Sequence, residues 1–198
     1  MFAYGLLVIA AYFVGSIASA VLVCKLIGKA DPRTEGSRNP GATNVLRLHG
    51  KWAAAFTLTG DAMKGILPVL LARLTGAPDV FIALTALAAF LGHLYPIFFE
   101  FRGGKGVATF VGVLFGMSWL LSLCFIGLWI LMALLFRYSS LAALTAAFLA
   151  PLYTLWLLPG LPFAIASTLM ATLLFWRHQA NIKNLLSGNE ARIGADKV

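Results

Sequence analysis

Long apolar runs separated by short polar segments set the pattern of this chain. A helix needs about 20 apolar residues to cross a bilayer, and several runs have that length. Membrane β-barrels show short segments of alternating polarity instead, so the pattern predicts an all-α membrane protein. The runs are residues 4–24, 52–74, 80–99, 107–136, 139–158 and 161–176.

The run at 107–136 is too long for one helix and too short for two full crossings. We predict that Gly116-Met117-Ser118 divides it into a half-length helix, tilted or re-entrant within the bundle, and a full one. Counting both pieces, the sequence predicts a bundle of seven transmembrane helices. We also expect the N-terminal run to be a first span and not a cleaved leader, since its Lys residues follow it.

Positive charge favours seven spans over six. With seven, six Lys/Arg in residues 25–51 fall on the same side as Arg102, Lys105, Arg137 and the basic tail, and only Arg73 lies clearly opposite. The positive side is cytoplasmic, so we predict the N-terminus outside and the C-terminus inside.

Composition sets limits on function. The 198 residues are 61% hydrophobic and 11% charged, which excludes a single soluble core. The net charge of +8 lies between the apolar runs, so it indicates anionic lipids or anionic substrates and not nucleic acid. Cys24 and Cys124 show no metal-ligand spacing, and we expect neither a metal nor a cofactor.

The first polar segment, residues 36–47, is dense in small residues, hydroxyls and amides. We predict that Asn44 caps a short helix over residues 45–49, which Gly50 ends. The free N–H groups of such a helix start would form an anion site with Arg47. The alternative is an ordinary cytoplasmic turn.

The second polar segment, residues 101–109, contains three glycines around Lys105. Glycines let backbone N–H groups converge on an anion, and a helix beginning near Val107 would direct its positive end at the same place. It is not a nucleotide P-loop, because Gly106 stands where Ser or Thr would bind magnesium. A flexible basic turn is the alternative.

The third polar segment, residues 177–190, places His178 and Asn181 on one helical face at i, i+3. An amphipathic tail on the lipid surface is the alternative. Three polar groups also lie inside the spans, where they are costly. Asp61 and Lys64, at i, i+3, are spaced to neutralise each other, and His93 lies about three turns before the glycine segment and is expected to face it.

In order, these segments resemble the three motifs of the bacterial PlsY family of acyl-phosphate:glycerol-3-phosphate acyltransferases. The resemblance runs from Met1 to about Arg192, with Arg38 and Pro40 at positions that we take to be variable. The residues that carry it are Gly36-Ser37-x-Asn39-x-Gly41-Ala42-Thr43-Asn44, Gly103-Gly104-Lys105-Gly106-Val107-Ala108-Thr109, and Arg177-His178-x-x-Asn181-Ile182 with Gly188-x-Glu190.

The resemblance implies one integral membrane acyltransferase domain over residues 1–198, multi-pass in the bacterial inner membrane, with its active site facing the cytoplasm. The implied reaction moves a fatty acyl group from acyl-phosphate to the sn-1 hydroxyl of glycerol 3-phosphate. It would give lysophosphatidic acid and phosphate, the first step of phospholipid biosynthesis. No obligate protein partner is expected, and membrane lipid surrounds the chain.

Acyl-phosphate is already an activated mixed anhydride, so the site needs no nucleophilic triad. It must neutralise two phosphates, orient a hydroxyl and stabilise developing oxyanion charge. The general base would be His93, a group that His93 holds in place, or a substrate phosphate. The candidate catalytic residues are Ser37, Arg47, His93, Lys105, Ser140, His178 and Asn181, and the candidate substrate-binding residues are Asn39, Thr43, Asn44, Lys64, Gly103, Gly104, Gly106, Thr109, Arg137 and Arg177.

Two other functions fit part of the pattern. Broken helices and charges at membrane depth also mark transporters of anionic metabolites, but a transporter would show two related halves, and the sequence has no internal repeat. The second alternative, a lipid-binding scaffold, does not explain the three glycines around Lys105.

Overall fold

The computed structural model describes residues 1–194, which form ten α-helices and one turn of 3-10 helix (Ile97–Phe99) and contain no β-strand. The all-α prediction is confirmed over these residues. The helices are α1 (Phe2–Gly15), α2 (Ser19–Leu26), α3 (Ala42–His49), α4 (Lys51–Leu74), α5 (Asp79–Leu94), α6 (Val107–Met117), α7 (Trp119–Phe136), α8 (Ser139–Leu157), α9 (Leu161–Arg177) and α10 (Gln179–Leu186).

Within residues 1–194, four segments are long and apolar enough to cross a membrane: α4, α5 with the 3-10 turn, α7 and α8. The pair α1 and α2, bent by 45° at their junction, makes a fifth when taken as one span. Helices α6 and α9 are apolar but shorter. The seven-span count and the orientation of the termini therefore remain predictions.

The first apolar run differs from the sequence prediction, since residues 16–18 interrupt it. Helix α1 packs backbone to backbone on α5 there: a methyl on Gly15 would overlap the carbonyl of Ala89, and one on Gly92 would overlap that of Tyr12. The hydroxyl of Ser16 donates to the Tyr12 carbonyl over 2.8 Å. Gly15, Ser16 and Ser19 at this break are small and uncharged, so the sequence prediction kept the run continuous.

Close glycine contacts also join α4 and α6. A methyl on Gly65 would meet the backbone of α6, and one on Gly112 would meet the Ala62 carbonyl. The predicted division near residues 116–118 is confirmed, because α6 ends at Met117 and α7 begins at Trp119. The Arg73 guanidinium donates to the carbonyl of Met117, so it satisfies a C-terminal carbonyl that the helix leaves unpaired.

The chain divides into two compact units, residues 1–117 and the residues from Ser118 onward. The first unit holds α1–α6, in which α4 packs most extensively on α6 and α1 on α5. The second holds α7–α10, in which α8 packs on both α7 and α9. Each unit contains part of the predicted site, and the two parts are described separately.

Candidate active site

Asn44 organises the first polar segment, although not as the predicted cap. Helix α3 begins earlier, at Ala42, after Gly41, so Asn44 lies inside the helix with a side chain that is 2% exposed. Its Oδ1 accepts from the Ser37 backbone N–H over 3.0 Å. Its Nδ2 donates to the carbonyls of Pro32 and Glu35. The predicted cap is therefore wrong, since the amide instead holds the preceding loop on α3. The predicted end of the helix at Gly50 is confirmed.

An ion pair ties the same loop to the 3-10 turn that follows α5. The Arg33 guanidinium donates to the Asp31 carboxylate over 2.8 Å and to the carbonyl of Phe99 over 3.2 Å, and it lies 5.8 Å from the centre of the Phe99 ring. Burial raises the pKa of Asp31, but the hydrogen bonds and charge of Arg33 outweigh it and hold that pKa below its ordinary value. Phe99 stands shortly before the glycine segment, so this pair anchors one side of it.

The three glycines of the second segment, which we call the glycine loop (residues 103–106), are each required by close packing. A methyl on Gly103 would overlap the backbone carbonyls of His93 and Leu94. One on Gly104 would overlap the His93 ring, and one on Gly106, at φ +92°, would overlap the ring of Phe90. The Gly104 N–H donates to the His93 carbonyl over 3.2 Å. The loop is therefore folded tightly onto the end of α5.

The first segment and the glycine loop adjoin each other. The position that a Gly104 Cβ would take lies 3.4 Å from the carbonyl oxygen of Pro40. Helix α6 begins at Val107, directly after the loop, as predicted, so its positive end lies beside Lys105. Lys105 is partly exposed and Arg47 is exposed. The remaining predicted polar residues of this segment, Ser37, Asn39 and Thr43, are exposed or partly exposed.

Asp61, Lys64 and His93 form a buried cluster behind the loop. The Lys64 ammonium lies 2.7 Å from Oδ1 of Asp61, and Nδ1 of His93 lies 3.5 Å from the same oxygen. Lys64 also donates to the carbonyl of Ile17 over 2.7 Å. The Thr109 hydroxyl donates to the Asp61 backbone carbonyl over 2.9 Å. The prediction that Asp61 and Lys64 neutralise each other is confirmed. The substrate contacts of Lys64 and Thr109 remain predictions, and these bonds favour structural roles for both.

In the second unit, Ser140 and Asn181 are brought together by one carboxylate. The Ser140 hydroxyl donates to Oε1 of Glu190 over 2.6 Å, and Nδ2 of Asn181 donates to the same oxygen over 2.7 Å. The residues after Glu190 lie along the start of α8, where the Arg192 guanidinium lies over the Tyr138 ring at 5.5 Å.

His178 stands at the junction of α9 and α10 and is 3% exposed. Its Nδ1 lies 2.8 Å from the Leu174 carbonyl oxygen. A carbonyl only accepts, so Nδ1 carries the proton, and Nε2 has the lone pair when the ring is neutral. Arg177 is partly exposed. Arg137, at the end of α7, donates to the carbonyl of Ile193 over 3.0 Å.

Sequence reasoning missed two residues at these sites. Glu190 was placed in a motif without a role, although it accepts from two candidate catalytic residues. Asp61 was assigned only to Lys64, and its approach to His93 depends on how α4 and α5 pack. The only signal in the sequence was three ionisable residues inside apolar runs.

Comparison with known proteins agrees with the motifs. The family model described as glycerol-3-phosphate acyltransferase matches residues 5–188. A glycerol-3-phosphate acyltransferase of Methylococcus capsulatus is 52% identical over 193 residues, which are 98% of each chain. One from Burkholderia cenocepacia (strain HI2424) is 55% identical over 190 residues, covering 94% of this chain and 89% of the relative.

Two solved structures are also similar. The crystal structure of PlsY, an integral membrane glycerol 3-phosphate acyltransferase, in its glycerol 3-phosphate form has a TM-score of 0.93 and 39% identity, and covers 97% of this chain and 96% of that one. The lysophosphatidic acid form has a TM-score of 0.91 and 38% identity over the same shares.

Proposed function

This chain belongs to the glycerol-3-phosphate acyltransferase family, and from that membership we propose that it transfers a fatty acyl group from acyl-phosphate to the sn-1 hydroxyl of glycerol 3-phosphate. The sn-1 oxygen attacks the acyl carbon, the bond from that carbon to the phosphate oxygen breaks, and inorganic phosphate leaves. The hydroxyl proton passes to a base, either His93 or a substrate phosphate. The products are lysophosphatidic acid and phosphate.

The observation that carries this proposal is the glycine loop. It is packed so tightly on α5 that each glycine position excludes a methyl, and it ends at the start of α6, whose first backbone N–H groups have no acceptor within the helix. Such a helix start, with Lys105 beside it, suits a phosphate dianion. We assign glycerol 3-phosphate to this loop, which Gly103, Gly104 and Gly106 shape; the Gly104 N–H itself is donated to the His93 carbonyl.

The charged and polar side chains have complementary tasks in this proposal. Arg47 and Lys105 neutralise phosphate charge, since Arg47 is exposed and Lys105 is partly exposed. In the second unit, Ser140, His178 and Asn181 orient substrate and stabilise charge on the acyl oxygen. Asn39, Thr43, Arg137 and Arg177 are assigned to substrate binding.

The test supplies purified protein in detergent with palmitoyl phosphate and glycerol 3-phosphate, and measures released phosphate and lysophosphatidic acid. Acyl-coenzyme A is the control donor, and NMR of the product identifies the acylated hydroxyl. Turnover with acyl-coenzyme A alone would overturn the proposed donor, and an sn-2 product the proposed acceptor position. Uptake of glycerol 3-phosphate into proteoliposomes without chemical turnover would instead support the transporter alternative.

We further propose a seven-span inner-membrane topology with the N-terminus outside and the active site and C-terminus in the cytoplasm. It rests on the Lys/Arg distribution and on seven apolar segments: the bent pair α1–α2, then α4, α5, α6, α7, α8 and α9. We keep a single domain over residues 1–198, since the family model extends across both units. Cysteines at Ser37 and Gln179 should be labelled from the cytoplasm and one at Ala77 from outside. Labelling of positions 77 and 179 from one face would refute this topology.

A further inference from the structure

The buried cluster of Asp61, Lys64 and His93 has more polar groups than charge balance requires. The three residues are 2%, 5% and 6% exposed. Asp61 and Lys64, on one helix, already neutralise each other at 2.7 Å. A buried ion pair is seldom better for stability than apolar side chains of similar volume. Stability alone therefore does not account for this pair, nor for the approach of His93 to it.

The carboxylate of Asp61 faces one edge of the His93 ring. A carboxylate only accepts hydrogen bonds, so the nitrogen that faces it at 3.5 Å, Nδ1, carries the proton. The opposite edge of the ring, with Nε2 and Cε1, then lies against Gly104, where a methyl would overlap both atoms. The backbone carbonyl of the same histidine accepts from the Gly104 N–H over 3.2 Å. His93 therefore holds the loop by its ring and by its backbone.

The other side of the glycine loop is fastened to the same turn of α4. Thr109, in the first turn of α6, donates its hydroxyl to the Asp61 backbone carbonyl over 2.9 Å. Lys64 in turn donates to the carbonyl of Ile17 over 2.7 Å, at the interruption between α1 and α2. Asp61 thus contacts both sides of the glycine loop. Its side chain faces His93, which precedes the loop, and its backbone carbonyl accepts from Thr109 in α6, which follows the loop.

We infer that Asp61 is a positioning residue for glycerol 3-phosphate binding: paired with Lys64, it fixes the His93 ring, and that ring fixes the glycine loop. This inference rests on the proposed function of the loop. Asp61 touches no substrate in this scheme, and it acts on the affinity for glycerol 3-phosphate through the shape of the loop.

The test is a double variant, Asp61→Asn with Lys64→Gln, because it keeps the buried net charge of the pair at zero while it removes the carboxylate. A second double variant, Asp61→Leu with Lys64→Met, replaces the pair by apolar side chains. The control is Thr85→Val on α5, the helix that carries His93, and it removes a buried hydroxyl that donates within its own helix to the Phe81 carbonyl over 2.7 Å.

Three quantities are measured on each purified protein: KM for glycerol 3-phosphate, kcat, and hydrogen exchange of a peptide containing residues 103–106. In the double variants we expect KM to rise roughly tenfold or more, kcat to change less than KM, and the loop amides to exchange faster. The Thr85 control should match the wild type in all three.

Unchanged KM and unchanged loop exchange in a folded double variant would overturn the inference. A lower kcat together with a lower Tm, with KM and loop exchange as in the wild type, would also overturn it, because a purely structural pair predicts that result. A wild-type protein that does not acylate glycerol 3-phosphate would refute the proposed function instead, and the exchange measurement would still decide whether Asp61 positions the loop.

Discussion

Replacing Gly104 with Ala tests the glycine loop at the point where it packs on the His93 ring. The new methyl would overlap Nε2 and Cε1 of His93 and would approach the Pro40 carbonyl oxygen. The ring is held from its other side by Asp61 at 3.5 Å, so it has little room to retreat. The loop backbone must therefore move away from α5.

The magnitude follows from the cost of extra volume in a packed site, which is about 1–3 kcal/mol. If that cost falls on the loop conformation that binds phosphate, the KM for glycerol 3-phosphate rises by about five- to 150-fold. The kcat should change less, since the substituted position makes no bond to the acyl group. We expect the Tm to fall modestly as well, because the loop is packed on α5, so the KM is measured at a temperature at which the variant is folded.

The assay is steady-state phosphate release at varied glycerol 3-phosphate and saturating acyl-phosphate. Gly127→Ala is the matched control, because a methyl at that position in α7 meets nothing within 4 Å, and alanine is the better helix former. A folded Gly104→Ala protein with a KM within twofold of the wild type would refute the assignment of this loop to substrate.

Three further predictions test other parts of the molecule. Lys105→Ala and Arg47→Ala should each lower kcat/KM by roughly thirty- to a thousandfold with little change in Tm, and Arg47→Lys should recover little, because an ammonium lacks the guanidinium fork. Asn44→Ala should lower the free energy of unfolding by about 1–3 kcal/mol, measured as a lower Tm, since it leaves buried backbone groups unpaired. The pKa of Asp31 is lowered by Arg33, so their pair stabilises the fold above the ordinary aspartate pKa of about 4. That contribution is lost as the pH falls through the lowered value, and the wild type should lose more stability on acidification than Asp31→Asn.

Each of these has an outcome that contradicts it. Full activity of both basic-residue variants would move the phosphate site elsewhere, and inactivity caused by misfolding would return Arg47 and Lys105 to structural roles. An unchanged Tm in Asn44→Ala would show that its three hydrogen bonds do not hold the loop. Parallel pH-stability curves for the wild type and Asp31→Asn would show that the Asp31–Arg33 ion pair does not contribute to stability.

Much of the fold follows from the apolar pattern, because lipid leaves the backbone few choices. The limits of α4 and α8 and the division near Ser118 were predicted from run length and small residues. The interruption at residues 16–18 was not, since its cause is the approach of Gly15 and Gly92 on different helices.

The site was predictable only as far as its local motifs. The glycine loop and the start of α6 follow from three glycines beside an apolar run. The predicted helix cap at Asn44 was wrong, because a capping Asn and an Asn that holds a loop have the same sequence signature. Only the path of the chain from Pro32 to Ser37 distinguishes the two. The approach of Asp61 to His93 is a tertiary contact, which no spacing along the chain reports.

The short length of α6 has a consequence for how the protein is made. Its 11 residues extend only about 17 Å, against a hydrocarbon thickness of about 30 Å, so the bilayer alone is a poor host for this segment during synthesis. Its glycines fit the backbone of α4, which leaves the ribosome earlier. Helix α4 is therefore in the membrane before α6 is made, and α6 reaches its final depth by packing on α4. A substitution at Gly65 or Gly112 would then first reduce the amount of protein in the membrane, because chains that fail to insert correctly are degraded after synthesis.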